Sequence, residues 1–406
     1  MCGCITALLN GSVRRRGILS ATAVGATAVG AASVGMFAAP AARAAEQLVA
    51  NQHAALSTES ASSRTRLILL GTAGGPTYWP GSNRSSASSV LMVGDAAYMV
   101  DCGAGAGKRL QEALDAPLRT ESFRTLRALF VTHLHSDHTV DYPNLLLYGY
   151  YSGLDLPGRP ALQVYGPGQR GQLEPVFTQP GKTPATPAVF SPSNPTPGTE
   201  DLTSLLLQAY ATDINDRIRD NGRRDPAGLV QAHDIAIPAI PGFVSPNDTP
   251  SPPMAPFKIY EDDRVRVSAI LVNHAPIWPA FAYRFDTDDG SVVFSGDTGP
   301  CDNLVTLADK AEILVHEVIV PSWIDSNLPS PRTPAQEGLR AHLLSAHTPV
   351  AEVGKLAQRA GVGMLVLNHL LPGNAHALDL LPAQLDFPGP MIIGDDLLQI
   401  GVRRRV

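Results

Sequence analysis

Apolar runs of three to six residues, each closed by a glycine or a polar residue, recur along this chain and predict short buried strands. Leu67-Ile68-Leu69-Leu70 is the first. It runs into Gly71-Thr72-Ala73-Gly74-Gly75-Pro76, which reads either as a tight turn or as a cradle of backbone N–H groups for an anion. Ser89 to Val93 and Ala97 to Val100 flank Gly94-Asp95 as a hairpin ending in Asp101-Cys102-Gly103. Leu129-Phe130-Val131 leads to Thr132-His133, and Leu162 to Tyr165 ends in Gly166-Pro167-Gly168. Further on, Val265 to Ile270 alternates, and Leu271-Val272 lead to Asn273-His274. Phe281 to Phe285 and Val292 to Phe294 enclose the turn Asp286 to Gly290, and Ser295-Gly296-Asp297 follows. Glu312 to Val315 ends in His316-Glu317, and Leu365-Val366-Leu367 ends in Asn368-His369.

Helical spacing is rarer. Gly105 to Ala116 places Leu110 and Leu114 on one face and stops at Pro117. Pro349 to Ala360 turns Val353, Leu356 and Ala360 inward. Pro143 to Tyr151, flanked by Tyr142, reads as a substrate-pocket wall or as a buried helix. Two strand-rich blocks separated by helices predict an α/β fold of two sheets packed face to face with helices outside. Residues 174–200 and 236–257 are rich in Pro, Thr and Ser and bracket a charged segment, Asp213 to Asp225. Within it Asn215 to Asp220 predicts an exposed helix or a capping lid, and the insertion at about 174–257 a loop-rich cover over a site.

Composition changes this picture mainly at the start. A chain of 406 residues, 44% hydrophobic, can bury one large core or two fused halves. Residues 1–45 are different: Arg14-Arg15-Arg16 precede an uncharged run from Gly17 to Ala42, and Ala42-Arg43-Ala44 offers a cleavage site. This predicts a twin-arginine export signal, hence a periplasmic or secreted protein, with an uncleaved membrane anchor as the competing reading. Residues 46–65 read as a linker and 66–406 as the folded domain, which carries the insertion. The leader holds four Arg and no acid, so the formal charge falls from −6 to −10 without it. That balance excludes a general attraction for polyanions, though not a local basic patch. Cys102 and Cys301 remain after the leader and are expected as unpaired thiols rather than a disulfide.

The chemistry concentrates in Thr132-His133-Leu134-His135-Ser136-Asp137-His138. Three imidazoles and a carboxylate stand within six residues directly after an apolar strand, in a chain with eleven histidines. Neutral imidazole and carboxylate are the ligands that zinc and similar divalent metals accept. Four apolar strands end in His or Asp, at His133, His274, Asp297 and His369.

His-x-His-x-Asp-His after an apolar strand resembles the signature of the metallo-β-lactamase fold superfamily. The wider pattern, from about Arg66 to Gly401, is similar to the branch holding ribonuclease Z and the periplasmic arylsulfatases. The resemblance implies a four-layer αββα sandwich and two metals. The first would take His133, His135 and His274, the second Asp137, His138 and His369, with Asp297 bridging. Two Zn2+ are expected, Mn2+ or Fe being the alternatives, holding a water whose pKa they lower. It implies further that Asp101 braces the metal loop, and that His347, paired with Glu317, protonates a leaving oxygen; with Asp137, these are the expected catalytic residues. The family's usual residues after that Glu are replaced here by Val318-Ile319. If the pairing fails, His347 merely caps the following helix.

The expected activity is therefore metal-dependent hydrolysis of phosphate or sulfate esters on a small-molecule substrate. A lactonase or carboxylesterase, a ribonuclease Z-type endonuclease, and a metal-holding protein without catalysis are the alternatives. Transfer RNA is not the expected partner, because of the export signal, the acidic balance and the missing basic arm. No stable membrane association is expected after cleavage, and a homodimer is compatible with the sequence.

Overall fold

A computed structural model describes residues 31–114, 119–176 and 186–404. Two seven-stranded sheets form the centre. The first has the order β14-β1-β2-β3-β4-β5-β6, built from Gln399–Gly401, Thr65–Gly71, Ser88–Val93, Ala96–Val100, Leu126–Phe130, Leu162–Pro167 and Val230–Ile235. The second has the order β13-β12-β11-β10-β9-β8-β7, from Met391–Ile393, Met364–Leu371, Ile313–Ile319, Gly290–Phe294, Phe281–Thr287, Arg266–Leu271 and Phe257–Glu261. β3 to β6 are parallel, as are β10 to β13, and antiparallel pairings complete each sheet.

The layering follows from alternation along the strands. Leu67, Leu69, Tyr98 and Phe130 from one sheet meet Val267, Phe281, Phe285 and Val315 from the other in a shared core. Ile68, Leu70, Met99 and Leu129 face outward instead, onto the helices Ala106–Leu114 and Tyr142–Ser152. On the far side Val293, Leu314 and Leu365 pack against the helices Asp302–Leu307 and Val350–Ala360. Sheets with both faces covered explain why so many strands read as unbroken apolar runs. The result is the expected αββα sandwich.

Several expectations need correction. Residues 46–60, read as linker, are the end of a helix, Ala31–Ser60. Val49 and Leu56, seven residues apart, pack against the body. His53 Nε2 lies 2.7 Å from the Ile393 carbonyl, and Ser60 Oγ donates to the Gln399 carbonyl. The insertion is more than loops: it supplies β6, the edge strand of the first sheet, and the helix Thr199–Ala209, which packs on β5 and β6. The helix Ala211–Asn221 is exposed as expected, but it caps no site. Its Arg217 stacks on Tyr151 instead. Tyr142–Ser152 is the buried helix rather than a pocket wall, with Tyr148 and Tyr151 exposed outside. Residues 1–30 of the expected export signal, with Arg14-Arg15-Arg16, and Pro117 lie outside the described residues, while Ala42-Arg43-Ala44 falls within the helix Ala31–Ser60. Among the described residues no helix is long and apolar enough to cross a membrane.

Candidate metal centre

The ends of three strands and a bulge within a fourth, from two sheets, converge at one edge of the sandwich. β4 delivers His133 three residues after Phe130, whose ring is wedged among Tyr165, Tyr260, Tyr283 and Phe285. That packing fixes where the metal loop begins. A single helical turn, Ser136–Thr139, then carries Asp137 and His138 back toward the sheet. β8 delivers His274 and β10 delivers Asp297. His369 does not end its strand. It sits inside β12 at a bulge, where Glu317 alone on β11 stands opposite Asn368 and His369. Its φ of 41° turns the imidazole inward, as bulges beside active sites do.

These residues form two groups that share one carboxylate: His133, His135, His274 and Asp297; and Asp137, His138, His369 and Asp297. In the first, His133 Nε2 and His274 Nε2 lie 2.9 and 3.3 Å from His135 Nδ1, and each 3.7 Å from Asp297 Oδ2. In the second, His138 Nε2 and His369 Nε2 lie 3.3 and 3.2 Å from Asp297 Oδ1, and 3.7 and 3.3 Å from Asp137 Oδ2. Metal–ligand bonds of about 2.0–2.1 Å at tetrahedral angles would separate ligand atoms by roughly 3.3–3.4 Å. The observed separations straddle that value. Asp137 Oδ1, Asp297 Oδ1 and His138 Nε2 are buried without a hydrogen-bond partner, a state that normally costs stability unless something else satisfies them. The donor set therefore fits two divalent cations.

Electrostatics agree. Burial, reinforced by neighbouring imidazoles, holds His133 well below the usual histidine range. Burial does the same to His274 and brings His135 down to about 4. All three offer neutral lone pairs. For His138, burial lowers the pKa, but Asp297, Asp101 and Asp137 together push it well above the ordinary value. A cation in the second group would take the place of that proton.

The supporting residues orient the ligands. Asp101 accepts from the Thr132 backbone N–H at 2.7 Å and hydroxyl at 2.9 Å, and its Oδ2 lies 2.8 Å from His138 Nδ1. His274 Nδ1 lies 2.9 Å from the Ala346 carbonyl, which leaves Nε2 for the metal side. Asp101→Asn should thus lower affinity for the second cation about 10–100-fold, read by competition with a chelator, and spare the first. Gly74 packs so closely on His369 that a Cβ there would stand 2.6 Å from its Nδ1. The glycine loop is a close-packed turn against a ligand.

Glu317 and His347 also meet, with Glu317 Oε1 3.4 Å from His347 Nδ1. The same Oε1 accepts from the Thr298 and Thr348 backbone N–H groups at 3.2 and 2.9 Å. Burial lowers the His347 pKa, yet Glu317, Asp297 and Asp137 raise it overall. Its ring stacks on His369 and sits edge-on to His274, touching both ligand groups. His347 ends the helix Pro334–Ala346 rather than capping the next one. His316 is buried behind the site with Nδ1 2.6 Å from the Glu317 carbonyl. Cys102 and Cys301 are free thiols.

Residues 82–147, which include the whole metal loop, match the profile of the Metallo-beta-lactamase superfamily. Ribonuclease Z of Mycobacterium sp. (strain KMS) is 30% identical over 339 residues, covering 83% of this chain and 95% of that protein. The chain belongs to the metallo-β-lactamase superfamily, on its ribonuclease Z branch. Ribonuclease Z of Mycobacterium bovis (strain BCG / Pasteur 1173P2) is 29% identical, covering 84% of this chain and 99% of that protein. Human tRNase Z, short form, superposes with a TM-score of 0.51 at 16% identity, covering 84% of this chain and all of that one, a likeness of fold. Membership places the chain among metal-dependent hydrolases and gives the paired ligand groups a family context.

Sequence reasoning missed Thr132, whose hydroxyl ties Asp101 to the metal loop, and Thr298 and Thr348, whose backbone holds Glu317. For Thr132 the signal was present, since it stands immediately before His133. For the other two, backbone donors leave no trace in residue type.

Proposed function

We propose that this chain is a binuclear metal-dependent hydrolase of phosphodiesters. The observation that carries the reading is Asp297 standing in both ligand groups, with the Glu317–His347 pair against them. Held there, two divalent cations supply Lewis acidity toward phosphoryl oxygens and make water a nucleophile at neutral pH. The chain's own residues do the rest. Asp137 and Asp297 balance the charge of the cations. Glu317, fixed by two backbone N–H groups, stands 3.4 Å from His347 Nδ1, which leaves Nε2 to deliver a proton to the departing oxygen. An imidazole held by a carboxylate matches an oxygen leaving group that must be protonated as it departs.

The expectation that transfer RNA is not a partner is weakened. Relatives named ribonuclease Z align with this chain over 95% or more of their length. An RNA phosphodiester therefore stands beside a small phosphodiester as substrate, and ahead of a sulfate ester, lactone or carboxylic ester. The test is a panel on zinc-loaded protein: precursor transfer RNA, bis(p-nitrophenyl) phosphate, p-nitrophenyl sulfate, a lactone and a penicillin. Both phosphodiesters, or one of them, should be cleaved with a kcat/KM at least ~10-fold above the others, a gap of ~1.4 kcal/mol in transition-state stabilisation. Turnover of sulfate or lactone with both phosphodiesters inert would overturn the reading.

A further inference from the structure

Beside His135, the least buried of the ligands, a cleft of about 280 Å³ opens on the insertion side of the sandwich. That is roughly twice the ~150 Å³ cavity that holds a benzene. Its walls are stiff and apolar, chiefly Trp278, Ile277, Leu202 and the prolines Pro167, Pro195 and Pro197. Trp278 follows His274 by four residues, so the wall and the ligand belong to one loop. Phe243 stacks behind the indole at 5.9 Å between centroids and 22° between planes, fixing its orientation. The indole Nε1–H is buried and has no acceptor.

Arg170 braces the cleft. Its side chain is 4% exposed and donates to the Pro276 carbonyl at 3.1 Å, Asn247 Oδ1 at 2.6 Å and the Gln172 carbonyl at 3.0 Å. Those bonds tie the Trp278 loop to Asn247 within the insertion and to Gln172 just before it. A rigid slot loses little order on binding, which favours a flat, rigid guest over a flexible one.

The geometry points to Trp278 and its cleft as the subsite for a planar aromatic group of the substrate, joined through oxygen to the phosphorus at the metal centre. This rests on the phosphodiesterase reading and names the substrate class. A nucleobase and a substituted aryl group share that chemistry. Arg170 is a positioning residue, acting through the Trp278 loop.

Binding of three phosphate monoesters to the metal-loaded protein separates the cases: adenosine 5′-monophosphate, p-nitrophenyl phosphate and ribose 5-phosphate, by titration calorimetry. At least one aromatic probe should bind roughly 5- to 150-fold more tightly than ribose 5-phosphate, the range of one base–aromatic stack. Preference for adenosine 5′-monophosphate identifies a nucleobase, and preference for the nitrophenyl ester an aryl group. Trp278→Ala should abolish the preference and leave ribose 5-phosphate affinity unchanged. Should that variant unfold, fluorescence replaces it: indole emission should be quenched by the aromatic probe but not by ribose 5-phosphate, and the quenching should be lost in Trp278→Phe. The other two tryptophans, Trp79 and Trp323, pack against each other in a separate cluster. No preference for either aromatic probe, or one undiminished in Trp278→Ala, overturns the subsite. Intact binding preference with no phosphodiester cleaved would instead remove the hydrolase reading and leave the slot standing.

Discussion

His347→Ala should slow phosphodiesters with alkoxide-like leaving groups by about 10²–10⁴-fold, the usual contribution of a general acid. Nitrophenolate leaves without a proton, so nitrophenyl esters should be slowed far less, and metal content should be unchanged. The contrast follows from geometry: His347 meets Glu317 through Nδ1 and stacks on the ligand His369, yet belongs to neither ligand group that shares Asp297. Glu317→Gln should give the same pattern more weakly, because it orients the imidazole without supplying the proton. Paired kinetics on an alkyl and a nitrophenyl phosphodiester, with metal analysis of each variant, read the result. An equal loss on both esters with metals retained would assign His347 to binding or structure.

The metal loop was legible because its ligands are close in sequence. Three imidazoles and Asp137 within six residues need no fold to bring them together. His274 and Asp297 were legible for another reason, since each follows an apolar strand, and strand ends in a covered sheet open at its edge. His369 was found by the same rule, although it stands within β12. Its bulge leaves no mark in residue type. The edge strands were missed where the pattern fails physically. Val230–Ile235 reads Val-Gln-Ala-His-Asp-Ile and buries only its two ends. Phe257–Glu261 has no fully buried residue. The helix ending at Ser60 was hidden by its serine-rich close, although the Ala, Glu, Gln and Leu residues before it favour helix. The Trp278 cleft joins segments from Leu134 to Pro279, and no local pattern reports such a meeting.

Asp297→Ala should have the largest effect on composition as well as rate. One carboxylate belongs to both ligand groups, so its loss removes a ligand from each and takes away one of the two carboxylate charges that offset the repulsion between two neighbouring cations. Both metals should be depleted, and hydrolysis should fall by well over the ~10–100-fold that losing an outer-shell partner costs. His369→Ala, by contrast, should deplete one metal and keep the other, because His133, His135 and His274 stay intact. Elemental analysis against protein concentration distinguishes the three states. An Asp297→Ala protein that keeps both ions would show that the carboxylate does not join them.

A pair of cations joined by Asp297 underlies every step proposed for this site, and anomalous diffraction from crystals of the zinc-loaded protein would show it outright. Two peaks should appear, about 3.5–4 Å apart, one against His133, His135 and His274, the other against Asp137, His138 and His369, with Asp297 touching both. A single peak, or two of which either lies beyond reach of Asp297, would rule out the bridged pair.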